Sequence, residues 1–108
     1  MGTEQRQHAR FIANLPIQVS LTTHDGHVER ESDRMLDVSE GGLCFVGMRY
    51  LAPGGAVKVE FSDCILEGRV KHCRLREYGA HIEFVTGVQV ERVLGGQETW
   101  KSLMSVLR

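Results

Sequence analysis

Arg6 and Arg10, four residues apart ahead of the first apolar run, and Asp37, Ser39 and Gly42, within the stretch Asp37-Val38-Ser39-Glu40-Gly41-Gly42, are the residues whose types and spacing could do chemistry together. An arginine presents a planar fork of donors that grips a phosphate or the O6/N7 edge of guanine, and its flat face stacks on a base. Asp37 offers acceptors, which suit the N1–H and exocyclic amine of guanine. Ser39 both donates and accepts, and Gly41 and Gly42 allow a left-handed backbone and close approach without a Cβ in the way. A guanine nucleotide satisfies each member of this set. Whether residues 6–10 are helical or extended, a four-residue spacing returns both arginines to one side.

The elements that must hold these groups are mostly strands. Ile17, Val19 and Leu21 alternate with polar residues from Pro16 to Thr22, and Asp25-Gly26 supplies a hairpin turn. The returning segment, Val28 to Val38, is charged on one face and becomes apolar only at Met35, Leu36 and Val38. Leu43 and Phe45 share a face in the next run. Val57, Val59 and Phe61 alternate with Lys58 and Glu60, the clearest half-buried strand of the chain. From Ile65 to Leu75 the alternation breaks: Leu66, Gly68, Val70 and His72 have one parity, Ile65, Cys73 and Leu75 the other, which calls for a bulge or a glycine-marked bend. Tyr78, Ala80, Ile82 and Phe84 form the last alternating set. After Gly95-Gly96 the period changes, and Trp100, Leu103, Met104 and Leu107 make the stripe of an amphipathic helix over about 97–107, expected to cap an open end of the sheet, with a partner surface as the alternative.

Composition excludes several classes. A chain of 108 residues has room for one domain, and a formal net charge of −1 argues against a general polyanion or nucleic-acid binder. There is no apolar run long enough for a transmembrane helix and no signal-peptide core, so no membrane insertion and a cytoplasmic location are expected. Three cysteines, Cys44, Cys64 and Cys73, without Cys-x-x-Cys spacing fit reduced thiols. Five histidines lack metal-ligand spacing, so no metal and no cofactor are expected. Ser39 sits in no Gly-x-Ser-x-Gly elbow, and an Asx or serine turn accounts for Asp37 and Ser39 structurally, so the chain is not read as an enzyme.

Arg6-x-x-x-Arg10 followed by Asp37-x-Ser39-x-x-Gly42 resembles the two-part signature of PilZ domains, small bacterial β-barrels that bind the second messenger cyclic di-GMP. The later runs, Pro53-Gly54 before Val57–Phe61, then Leu66–Val70, then Tyr78–Phe84, extend the likeness over nearly the whole chain. Alternation alone does not separate a barrel from a sandwich. The resemblance implies a mainly β fold, a six-stranded antiparallel β-barrel with a C-terminal α-helix, divided as an arm over 1–10, a barrel over 11–87 and a helical segment over 88–108. It also implies a cyclic di-GMP receptor in which Arg6, Arg10, Asp37, Ser39 and Gly42 hold the ligand, the arm orders on binding, and the change passes to a protein partner. The alternative is an interaction module of the same fold that does not bind the nucleotide. Gln5 stands where many members carry a further arginine, which bears on whether one or two messenger molecules bind. The resemblance also gives His72 a candidate role, stacking on a guanine.

Overall fold

The structure, a computed structural model, describes residues 10–23 and 25–106. Arg6, the rest of residues 1–9 and Leu107 lie outside the described residues. Six strands form a closed barrel: β1 (Arg10–Thr22), β2 (Val28–Ser39), β3 (Gly42–Gly47), β4 (Ala56–Phe61), β5 (Cys64–Tyr78) and β6 (His81–Gly95). Around the barrel the order is β1-β2-β3-β6-β5-β4, with β4 returning to β1, and every neighbouring pair is antiparallel. Closure leaves no sheet edge along the paired lengths, which a domain this small would otherwise have to protect. Helix α1 (Gln97–Val106) follows β6 directly.

Period-two alternation sends one side chain in two to the interior. In β4, Val57, Val59 and Phe61 are buried between half-buried Lys58 and Glu60. The core adds Ile17 and Val19 from β1, Met35 and Val38 from β2, Leu43 and Phe45 from β3, and Leu66, Val70 and Val88 from the long β5–β6 hairpin. Trp100 of α1 is buried against this cluster with Leu103 and Met104 partly buried beside it, so the helix caps the barrel as its stripe implied. Gly96 sets the helix's approach. It has φ +70°, its carbonyl accepts from the Trp100 amide at 3.0 Å, and a Cβ there would lie 2.4 Å from the Asp63 carbonyl oxygen.

Two boundaries differ from the sequence reading. The alternating set Tyr78–Phe84 is not one strand: Gly79, at φ +61°, turns the chain there and Tyr78 pairs with His81. The sequence reading also ends the barrel at 87, whereas β6 continues to Gly95 because Val88, Val90 and Val93 pair with Val70, Gly68 and Leu66. The helical segment expected from 88 therefore begins at Gln97. Arg10, placed in the arm, is the first residue of β1. The irregular parity of β5 resolves as expected, through register shifts at Ile65/Leu66, Glu67/Gly68 and Val70/His72.

One interior position has a pH consequence. Asp33 of β2 packs against Gly47, where a Cβ would lie 2.5 Å from Asp33 Oδ1, and its buried Oδ2 has no hydrogen-bond partner. Burial, then the hydrogen bond and negative charge of Glu31, push the Asp33 carboxyl up to about 8 from 3.8. Arg49, 3.7 Å from Glu31 and also paired with Glu29, does not offset this. The native state holds the proton more tightly than the unfolded chain. The resulting stabilisation is full below pH 3.8 and is lost as pH rises through about 8. Urea midpoints measured from pH 5 to 9 are expected to fall with pH, and Asp33→Asn is expected to flatten that decline; an unchanged slope in the variant would place the titrating group elsewhere.

Candidate functional site

The Asp37–Gly42 stretch is the hairpin joining β2 and β3. Ser39 pairs with Gly42, and Glu40-Gly41 make the turn, with Gly41 at φ +78°. The turn is anchored from outside the hairpin, because the Gly41 carbonyl accepts from the Val90 amide of β6 at 2.8 Å. A short, cross-braced turn keeps Asp37 and Ser39, both half-buried, in fixed relation.

Strand register carries the site across the sheet in two rows. One runs Arg10–Ser39–Gly42–Gln89–Arg69, the other Ile12–Asp37–Cys44–Gly87–His72. With strands about 4.8 Å apart, each row spans on the order of 19 Å. The middle positions of the rows include Gly42, Cys44 and Gly87, whose small side chains leave a trough. The cavity is about 370 Å³ and has Asp37 and Ser39 on one flank and Lys71, His72 and Arg74 on the other. That volume falls within the range of small-molecule sites.

The bulge at Val70/His72 creates the cationic flank. Val70 is buried, while Lys71 and His72 are consecutive exposed residues, and Arg74 is exposed two positions on. Parity counting from Leu66, Gly68 and Val70 puts His72 on the buried side, and the bulge reverses that. The imidazole lies over Gly87, where a Cβ would come within 2.4 Å of His72 Nε2. Lys71 and Arg74 were not singled out by sequence reasoning. The signal was present in the parity break itself, since a bulge within a strand bearing Lys71, His72 and Arg74 brings adjacent polar residues to one face. Among the described residues neither Lys71 nor Arg74 has an ion-pair partner, leaving two cations for an anionic ligand.

Gly42 has a packing role beyond ligand access. A Cβ there would lie 2.7 Å from the Val88 carbonyl oxygen, so β3 and β6 approach as closely as they do because the side chain is absent. Gly42→Ala is expected to lower stability by about 1–3 kcal/mol and to disturb the trough floor. Denaturant unfolding measures the first effect, and amide shifts at Val88 and Gln89 report the second.

A family model described as the PilZ domain matches residues 4–97. The chain belongs to the PilZ domain family. Two solved structures share its fold. The PilZ domain with c-di-GMP of YcgR from Escherichia coli is 16% identical with a TM-score of 0.66, over 95% of this chain and 91% of that one. The Bacillus subtilis inhibitor of motility MotI/DgrA is 14% identical with a TM-score of 0.66, over 94% of this chain and 48% of that one, so the present chain spans about half of that protein. No curated protein matches the chain by sequence. The trough of this PilZ domain is the cavity lined by Asp37, Ser39 and Gly42. Among the described residues no helix is long and apolar enough to cross a membrane.

Proposed function

We propose that this PilZ domain is a cyclic di-GMP receptor that changes its surface on binding and signals to a protein partner. The observation that carries the reading is the trough itself. Asp37, Ser39 and Gly42 line it together, Lys71 and Arg74, without ion-pair partners among the described residues, stand opposite, and Arg10 opens β1 directly across from Ser39. A guanine edge matches Asp37, phosphates match the arginines and Lys71, and Ser39 serves either. Arg6, four residues before the first paired position of β1, completes the clamp in this proposal. Family membership and the c-di-GMP-bound YcgR domain support the choice of nucleotide.

A protein partner is supported by apolar side chains left bare at one end of the barrel. β3 last pairs at Gly47 with Phe84, and β4 first pairs at Ala56 with Arg69, so the tip of the β5–β6 hairpin extends past both. Leu75 and Ile82 on that tip and Met48 beside it are 56%, 54% and 75% exposed. Isothermal titration of the full chain with cyclic di-GMP tests the receptor reading and returns the stoichiometry that Gln5 bears on. Saturable micromolar or tighter binding is expected. Absence of heat at those concentrations would favour the interaction module that does not bind the nucleotide.

A further inference from the structure

A second groove lies on the outer face of the barrel, away from the signature hairpin. Its volume is about 400 Å³, and it crosses β1, β4, β5 and β6 with Ser20, Thr22, Lys58, Glu67, Arg69 and Arg92 among its lining residues. Ser20 and Lys58 are direct cross-strand neighbours. An irregularity in the pairing of β5 with β6 lies at the groove. At the groove's wall the β5–β6 register shifts at Glu67/Gly68, and Gly68 is packed so that a Cβ would lie 2.2 Å from the Gln89 carbonyl oxygen.

Two features of this groove are unexplained by the fold. The first is Ser20. It is 4% exposed on a strand face whose other members, Gln18 and Thr22, are exposed, and its hydroxyl is buried with no hydrogen-bond partner. An unsatisfied buried hydroxyl is a cost to the fold, which a ligand oxygen would relieve. The second is Lys58. The other charges of the groove are matched, Arg92 with Glu67 and Arg69 with Glu91, whereas Lys58 has no ion-pair partner among the described residues. The balance of those five groups is one positive charge beside one orphan hydroxyl. We infer that this groove is a second binding site, for a small molecule bearing a single oxyanion group, phosphate or carboxylate, held by the Lys58 ammonium and the hydroxyls of Ser20 and Thr22.

Amide chemical shifts of the full chain, titrated separately with inorganic phosphate and with acetate, test this and distinguish the two anion classes. Saturable shifts are expected at residues 20, 22, 58 and 67–69 with at least one of the probes. Lys58→Gln is expected to weaken that binding tenfold or more, and Ser20→Ala several-fold. Asp37→Ala, which alters the signature trough and does not line this groove, is expected to leave it unchanged. Shifts that never saturate, that persist equally in Lys58→Gln, or that centre on Lys71 and Arg74 instead would overturn the assignment. The Ser20→Ala variant also guards against misfolding: removing an orphan hydroxyl is expected to hold or raise the urea midpoint, so lost binding in that variant reads on the site.

Discussion

Arg10→Ala is expected to weaken cyclic di-GMP binding by on the order of a hundredfold while leaving the barrel folded. Arg10 is the first residue of β1 and pairs with Ser39, so the residue proposed to grip phosphate is tied by backbone register to the residue proposed to share it. A flexible tail could lose one contact and keep others by rearranging. A strand terminus fixed opposite Ser39 has less freedom to do so, and the removed fork strands both the phosphate and the guanine edge it served. Arg10→Lys separates charge from geometry: it keeps the cation, loses the bidentate fork, and is expected to recover only part of the affinity. Stability is expected to change little, because among the described side chains of β1 those buried in the core are Ile17 and Val19, well along the strand. Isothermal titration with an accompanying melt reads both quantities, and wild-type affinity in Arg10→Ala would remove the first strand from the site.

Gly68→Ala is expected to be the most disruptive single methyl in the barrel, lowering stability by about 3 kcal/mol or more. The added carbon would sit 2.2 Å from the Gln89 carbonyl oxygen and 3.0 Å from its carbon, with Val88 Cγ1 at 2.9 Å. The first two are backbone atoms of the adjoining strand, so relief requires β5 and β6 to part where they curve the barrel closed. Domains of this kind are stable by about 5–15 kcal/mol in total, which makes such a loss visible as a large fall in urea midpoint. Gly79→Ala is the matched control. Its φ is +61° and nothing lies within 4 Å of the new Cβ, so only the conformational term remains, about 1 kcal/mol. Equal effects of the two substitutions would mean that the close approach at Gly68 does not govern stability. The same separation would widen the row through Gln89, so Gly68→Ala is also expected to loosen the trough beside Gly42.

Much of the architecture is legible in the chain because strand burial obeys a period of two. Val57, Val59 and Phe61 announce β4 without help, and the charged face of Val28–Arg34 followed by Met35 and Val38 anticipates the burial of β2. The helix stripe at Trp100, Leu103 and Met104 is equally clear, and its capping role follows from the need to bury it. Local patterns fail where a turn or bulge breaks the count. Gly79 reverses the chain inside an alternating run, and the valines after 87, adjacent to two glycines and a helix, continue the sixth strand because they complete the pairing with Leu66, Gly68 and Val70.

The candidate site divides along the same line. Residue type and spacing alone single out Arg6, Arg10, Asp37, Ser39 and Gly42 and the family they point to, since a motif is a matter of both. Of these, the structure places Asp37, Ser39 and Gly42 around one trough and the backbone of Arg10 at its side. What stands opposite follows from strand pairing across the barrel. Lys71, His72 and Arg74 are some thirty residues away in the chain and reach the trough through two intervening strands and a bulge at Val70/His72. The groove at Ser20 and Lys58 is likewise a product of barrel closure, which makes β1 and β4 neighbours. Long-range strand pairing is set by the whole hydrophobic core at once, so no local spacing in the sequence records it.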